Sequence, residues 1–319
     1  MKDSNIYDVI ILGSGPAGFT AAIYAVRAGR KTLMIAGTRW GGQLMLTTKV
    51  ENFPGFAEGV QGPELMVNMR NQTERLGVEV LNIDFTRADF TKRPFEVEAD
   101  GKKYLAKSVI VATGADSIWL NVPGELQLRG KGVSTCATCD AFFFKDKNVI
   151  VVGGGDSAME EAMVLAQVAK SVTIIHRRDK FRASKAMQER VFGSPKIKII
   201  WNTELIRYQG AEKLESVKLK DNKTAKEIEK QTDGVFVSIG HKPNSNKFKG
   251  LEIDEKGYIV RREILDEKGL LKYRSATNID GVFVAGDVHD YRYRQAVTAA
   301  AFGCMAALDA DKWLGEGGL

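Results

Sequence analysis

The sequence predicts an α/β protein built from two Rossmann-like nucleotide-binding domains of the three-layer ββα type, one inserted into the other. Three observations lead there. The first is a glycine-rich turn, Gly13-Ser14-Gly15-Pro16-Ala17-Gly18. The second is a similar turn 140 positions later, Gly153-Gly154-Gly155-Asp156-Ser157-Ala158. The third is their shared context, because each follows a short apolar strand pattern and opens a helical one.

In the first unit, Tyr7–Leu12 reads as a buried strand, Ala17–Ala28 as a helix stopped by Gly29, and Lys31–Ile35 as the next strand. The order recurs with strand Asn148–Val152, helix Ser157–Lys170 and strand Val172–Ile175. Val80–Phe85 reads as a further strand. Three more apolar runs, Val109–Gly114, Val235–Gly240 and Val282–Asp287, end in small or polar residues as buried parallel strands do. Asn121-Val122-Pro123-Gly124 and Lys242-Pro243-Asn244-Ser245-Asn246 are rich in turn formers and bracket the second unit. They are the candidate hinges. The expected division is 1–118 and 248–319 for the outer domain and 119–247 for the inner one.

At 319 residues, 44% hydrophobic and 27% charged, the chain suits two ordinary globular domains. No apolar run reaches the roughly 18 residues of a membrane helix. Met1–Asp8 is polar and leads into a strand, so no signal peptide is expected. With three cysteines, two of them in one motif, the chain is not a disulfide-stapled secreted protein, and a cytoplasmic location is expected. The net charge of +6 is scattered, which argues against nucleic acid and leaves an acidic protein partner open.

A pyrophosphate needs backbone N–H groups at a helix N-terminus with no side chain in the way. Gly13 permits the tight turn, Gly15 the close approach, and Gly18 the packing of helix on strand. The acidic residue that usually ends the second strand and holds a ribose is missing. The chain there reads Ile35-Ala36-Gly37, followed by Trp40-Gly41-Gly42-Gln43. In the second unit the same place reads His176-Arg177-Arg178-Asp179-Lys180-Phe181-Arg182. Guanidinium groups there suit an adenosine 2′-phosphate, and hence NADPH over NADH.

Just before the second turn stands Cys136-Ala137-Thr138-Cys139-Asp140. Two cysteines at this spacing can close and open a small disulfide ring. Zinc needs about four ligands, and the chain adds only Cys304 and the dispersed His176, His241 and His289. Asp140 is read either as a proton donor and acceptor or as a helix cap. Cys304 lies on an apolar helical stretch and reads as core. Two dinucleotide sites and a dithiol suggest an electron relay from a nicotinamide through a flavin to a disulfide.

These residues resemble the low-molecular-weight, bacterial-type thioredoxin reductases, nearly end to end. The likeness includes both glycine turns, Gly41-Gly42-Gln43-Leu44, Glu51-Asn52-Phe53-Pro54-Gly55, Cys136–Asp140, His176–Arg182, Gly286-Asp287 and Tyr293-Arg294-Gln295-Ala296. Lys49 and Met45-Leu46 depart from the family's usual residues. Neither an N-terminal thioredoxin-like extension nor a C-terminal cysteine or selenocysteine tail is expected.

The resemblance implies FAD at the first site. Its contacts would be Gly13, Ser14, Gly15, Pro16, Ala17, Gly18, Gly41, Gly42, Gln43, Asn52, Phe85, Gly286, Asp287, Arg294, Gln295 and Ala296. NADPH would be held by Gly153–Ala158 together with His176, Arg177, Arg178 and Arg182. It further implies that NADPH reduces FAD, FAD reduces Cys136–Cys139, and the dithiol reduces thioredoxin. Cys136 would attack, Cys139 would face the flavin, and Asp140 would manage protons. A homodimer and rotation of the inner domain on its two linkers are also implied. The rivals are a related NADPH-dependent flavoprotein acting on ferredoxin, oxygen or a small dithiol, and a non-catalytic FAD-binding redox sensor.

Overall fold

The computed structural model describes residues 6–318. Met1–Asn5 and Leu319, which the expected polar lead and domain division include, lie outside them. The chain divides into two compact units, 1–116 with 242–319, and 117–241. Both crossings fall a few residues earlier than the expected boundaries.

In chain order the outer unit begins with β1 (Ile6–Leu12), α1 (Pro16–Arg27), β2 (Thr32–Ile35), β3 (Glu79–Leu81), β4 (Phe85–Asp89), β5 (Phe95–Ala99) and β6 (Lys102–Val111). The inner unit follows with β7 (Val133–Ser134), α2 (Ala137–Asp140), β8 (Asn148–Val152), α3 (Asp156–Val168), β9 (Ser171–Ile175), β10 (Ile197–Ile200), β11 (Thr203–Gln209), β12 (Ser216–Asp221), β13 (Glu227–Gln231) and β14 (Gly234–Val237). The outer unit resumes, among other elements, with β15 (Val282–Val284) and α4 (Ala296–Gly315).

In the outer unit β3-β2-β1-β6-β15 run parallel, with Val9 opposite Thr32 and Ile11 opposite Ile110. Successive side chains of a strand point to opposite faces, so an all-apolar strand must be covered on both. Val9 and Ile11 pack with Phe19 and Ala22 of α1 and Ala306 of α4. Ile10 and Leu12 pack with Phe95 and Val97 of β5. The layers are therefore helices, parallel sheet and antiparallel strands.

The inner unit repeats this plan. Its parallel order is β7-β14-β8-β9-β10. Val149 and Val151 pack with Ala158, Met159, Ala162 and Leu165 of α3. Ile150 and Val152 pack with Leu205, Val217 and Leu219 of the β11-β12-β13 meander. The three-layer ββα arrangement expected from the sequence is thus present in both units. No helix among the described residues is long and apolar enough to cross a membrane.

Three local expectations are corrected. Val80–Phe85 is not one strand: β3 ends at Leu81 and β4 starts at Phe85. β3 is parallel to β2, whereas β4 turns away to pair antiparallel with β5. The intervening Asp84 is held by Thr38 beyond β2, accepting from its N–H at 3.0 Å and its hydroxyl at 2.8 Å. Asn121–Gly124 is packed into the inner unit rather than standing as a free hinge. The Tyr208 N–H donates to the Pro123 carbonyl at 2.9 Å, and a Cβ on Gly124 would lie 2.4 Å from the Tyr208 oxygen. Cys304 is half-exposed on α4, hydrogen-bonded to Tyr24 of α1, so it is not core.

Helices α1 and α4 meet backbone to backbone at Gly303, where a Cβ would come within 2.1 Å of the Ala17 carbonyl oxygen. Gly303→Ala gains helix propensity of about 1 kcal/mol but must separate two packed helices. Overpacking of this kind costs about 1–3 kcal/mol. We expect a net loss of stability and a lower melting temperature by circular dichroism; an unchanged or higher one would show that the helices yield freely.

Candidate functional site

The first glycine turn links β1 to α1 at the carboxyl end of the parallel strands, where ligands of such sheets bind. Its glycines have distinct duties. Gly13 has φ +110° and leaves no room for a side chain, since a Cβ would meet the Ala112 carbonyl at 2.2 Å. A Cβ on Gly18 would lie 2.1 Å from the Gly13 oxygen. Gly15 is the N-cap of α1, with extended backbone and no side-chain cap. A Cβ there would meet nothing within 4 Å. Thus Gly13 and Gly18 fit the chain to itself, and Gly15 leaves the helix N-terminus open.

Ser14 fastens the next loop to this turn. Its buried hydroxyl donates to the Ala36 carbonyl at 2.6 Å and accepts from the Gly41 N–H at 3.0 Å. That places Gly42 beside Gly15, with a Gly42 Cβ position 3.4 Å from the Gly15 Cα. Gln43 donates to Asp116 at 2.8 Å, and Asn52 donates to Gln295 at 3.3 Å. Pro16 and Ala17 are buried at the start of α1, and Ala17 packs against Gly286.

After β15, Asp290 accepts the N–H groups of Arg292, Tyr293 and Arg294 at 3.1, 2.9 and 3.0 Å. This fixes the turn that delivers Arg294, Gln295 and Ala296, with Gln295 and Thr298 forming a capping box for α4. Asp287 lies in the short 3₁₀ turn Gly286–Val288 that follows β15. Burial first, then repulsion from Asp290, pushes its carboxyl up to about 7. Burial also holds His289 down at about 4. Phe85 starts β4, and its ring stacks on Phe248 at 5.5 Å.

The second turn repeats the pattern. Gly155 is the uncapped N-cap of α3, again with open space at its Cβ position. Gly154 faces His176, whose ring would be 2.3 Å from a Cβ. The Gly154 carbonyl accepts from the N–H groups of Arg182 and Ala183 at 2.7 and 3.2 Å. Ser184 donates to Asp156 at 2.8 Å through its hydroxyl. The basic loop is therefore hydrogen-bonded onto the glycine turn, with Arg177, Arg178 and Arg182 exposed. His176 is buried, and burial holds its ring below the ordinary value, so it packs as a neutral ring while the arginines supply the charge. Ser157 and Ala158 follow in the first turn of α3, Ala158 buried against the sheet.

Cys136 and Cys139 form a disulfide across α2. The Cys139 N–H donates to the Cys136 sulfur at 3.2 Å. Asp140 stands at the N-cap of the 3₁₀ turn Ala141–Phe144, but its side chain makes no cap hydrogen bond. Its Oδ2 accepts from the Ser134 hydroxyl at 2.6 Å, and the Ser134 oxygen accepts from the Cys136 N–H at 3.1 Å. Burial raises the Asp140 carboxyl, and the Ser134 hydrogen bond opposes it. Ser134, Asp116, Asp290 and Glu161, which binds the Ala137 N–H, were not marked by any sequence motif. No group of three or more metal-ligating side chains occurs among the described residues.

The donor sets fit the groups they are expected to hold. Each open glycine N-cap offers unblocked N–H groups to a pyrophosphate. The exposed guanidiniums of Arg177, Arg178 and Arg182 beside the second can grip a further phosphate, whereas the first loop carries the single exposed Arg39, past Gly37 and Thr38. The geometry defines a two-site dinucleotide oxidoreductase with a disulfide in its inner unit.

Comparison with known proteins agrees. Residues 7–303 match the family described as Pyridine nucleotide-disulphide oxidoreductase. A thioredoxin reductase of Streptomyces clavuligerus is 50% identical over 98% of this chain and 95% of its own. One from Mycolicibacterium smegmatis is 50% identical over 98% and 97%. A solved thioredoxin reductase of Giardia duodenalis superposes with a TM-score of 0.91, at 41% identity over 98% of this chain and all of that one. The chain belongs to the thioredoxin reductase family of pyridine nucleotide-disulphide oxidoreductases.

Two outcomes are expected at this site. Gly15→Ala adds a methyl group to open space, so the melting temperature of the flavin-stripped protein should hold while bound flavin, read by absorbance, falls. Gly18→Ala should lower the melting temperature as well; identical behaviour of the two would merge the roles assigned to them. Asp287 binds more protons folded than unfolded between about pH 4 and pH 7. Its contribution therefore favours folding at the acid end and is lost as pH rises to 7, by on the order of 3 kcal/mol. Urea unfolding of flavin-stripped wild type minus Asp287→Asn isolates this from the opposite contribution of His289; a flat difference curve would refute it.

Proposed function

We propose that the chain is an NADPH-dependent thioredoxin-disulfide reductase that uses FAD. The observation behind this reading is the reactive-spaced disulfide in the same unit as a glycine turn closed by an arginine loop. Gly13–Gly18, Gly41–Gln43, Asn52, Gly286, Asp287 and Arg294–Ala296 would hold FAD, with Phe85 on its adenine side. Gly153–Ala158, with Arg177, Arg178 and Arg182 around His176, would hold NADPH. When bound, FAD accepts a hydride equivalent from NADPH and passes the two electrons to a disulfide.

The chain's own residues then set thiol-disulfide exchange. The Cys139 N–H at the Cys136 sulfur favours a thiolate there. Cys136 attacks the thioredoxin disulfide, forming a mixed disulfide and releasing one partner thiolate. Cys139 then attacks Cys136, which restores the internal disulfide and releases the second. Asp140, with its carboxyl raised, is placed to give a proton to the first leaving thiolate. Phe142 and Phe143 directly follow this turn and are exposed, 72% and 38%. Exposed rings beside a dithiol suit a protein surface better than a small solute. A homodimer in the cytoplasm completes the reading.

Cys136→Ser should abolish thioredoxin turnover while NADPH still bleaches the flavin, because the dithiol acts after it. Wild-type turnover would falsify the assignment. Neutralising Arg177 and Arg178 should weaken NADPH by about 2–4 kcal/mol, since each charge-assisted hydrogen bond contributes about 1.5–3 and losses are not additive. NADH should change far less, and equal losses in a titration with both would move the 2′-phosphate elsewhere.

A further inference from the structure

Helix α3 starts at the second glycine turn and runs past the dithiol. From its second turn Glu161 reaches α2, where its Oε2 accepts the N–H of Ala137. Ala137 is fully buried and lies between the two cysteines. We propose that Glu161 is a positioning residue of the dithiol turn, and that its carboxylate makes Cys136–Cys139 a stronger reductant. This rests on reading the pair as the electron donor to a protein disulfide.

The physical reason is a difference between oxidation states. The disulfide is neutral, whereas the dithiol carries a thiolate for part of the time. A carboxylate against the turn repels that thiolate and leaves the disulfide untouched. It also occupies the Ala137 N–H, which could otherwise turn toward a sulfur anion. Stabilising the thiolate makes a pair oxidising; withholding that stabilisation makes it reducing. A pair that feeds a thioredoxin-type disulfide needs the second property. The opposing donor is the Cys139 N–H at 3.2 Å.

Asp140 lies on α2 itself and is tied to Ser134. The neighbouring strand β7 brings the Ser134 hydroxyl, and residues 141–144 that follow are Ala-Phe-Phe-Phe. Glu161 is the carboxylate that arrives from α3, while Glu160 beside it is exposed.

The test is an equilibrium with reduced and oxidised dithiothreitol at pH 7, using the FAD-loaded protein without NADPH or thioredoxin. Reduction breaks the Cys136–Cys139 bond with two electrons and two protons from dithiothreitol, which closes to its cyclic disulfide. Acid quenching, maleimide labelling and mass spectrometry read the fraction reduced. Glu161→Gln keeps an acceptor for Ala137 but loses the charge. It should be half-reduced at a reduced-to-oxidised ratio about three- to tenfold lower than wild type. Glu161→Met, of similar size, should shift the same way and serves if the first variant does not fold.

In a Cys139→Ser background, alkylation of Cys136 should reach half-rate at lower pH with Glu161→Gln than without it. Glu160→Gln should move neither measurement. Wild-type midpoints in the Glu161 variants, a shift toward stronger reduction, or an equal shift from Glu160→Gln would each overturn the proposal. Because neither thioredoxin nor NADPH takes part, failure of the reductase reading would appear in turnover and leave these midpoints intact.

Discussion

The structure depends on backbone meeting backbone without an intervening Cβ. At the first turn Gly13 sits against the Ala112 carbonyl and Gly18 against the Gly13 carbonyl. Those two contacts bring α1 onto the ends of β1 and β6. Gly303 against the Ala17 oxygen brings α4 onto α1 in the same way. The open N-terminus of α1 then faces outward at Gly15 because the glycines on either side have drawn the chain in. In the second turn Gly153 is pressed to within 2.3 Å, at its Cβ position, of the Ser238 oxygen, while Gly155 stays open. One glycine per turn is left for a ligand, and the others serve the fold.

The dithiol turn is governed by a balance of polar contacts over a very short stretch. α2 is four residues long, too short to be held by its own hydrogen bonds. It is fixed from outside: by Ser134 at both the Cys136 N–H and Asp140, and by Glu161 at Ala137. A reactive pair must change bond lengths and charge without losing its place, so the anchoring falls on the backbone and on Asp140. Ser134 holds Asp140 by donating to it, which favours the ionised form, while burial favours the protonated form.

The same constraints decide how much of the molecule was legible in the sequence. The parallel strands and the helices after the glycine turns were readable because burial on both faces leaves uninterrupted apolar runs and the turns need glycine. The basic loop was readable from its place after a second strand. The break between β3 and β4 was not, because it depends on Asp84 bonding to Thr38, distant in sequence. Asn121–Gly124 has the composition of a loose linker, yet it is packed against Tyr208 of β11. Cys304 follows the core-facing Gly303 by one residue, and a helix turns about 100° per residue, so it emerges beside Tyr24. Glu161 looks like any surface glutamate of a helix until α2 is folded against it.

The two units also differ in the loop that follows the second strand of each. In each, the residue at or just past the end of the second strand braces the glycine turn. In the outer unit Ala36 does so by accepting the Ser14 hydroxyl. In the inner unit the His176 ring fills the space that Gly154 leaves. In the inner unit a side chain does the bracing, so the charge there comes from the residues after it, whereas in the outer unit the brace is a backbone carbonyl that any residue would supply. The outer loop continues with Gly37, whose N–H donates to the Ile83 carbonyl, and with Thr38, held by Asp84, before it reaches the exposed Arg39. The inner loop continues with Arg177 and Arg178 and returns through the Arg182 N–H to the Gly154 carbonyl, which presents guanidiniums beside the turn. The inner loop thus differs from the outer in carrying two adjacent guanidiniums immediately past its brace, where the outer loop has Gly37 and Thr38 before a single Arg39.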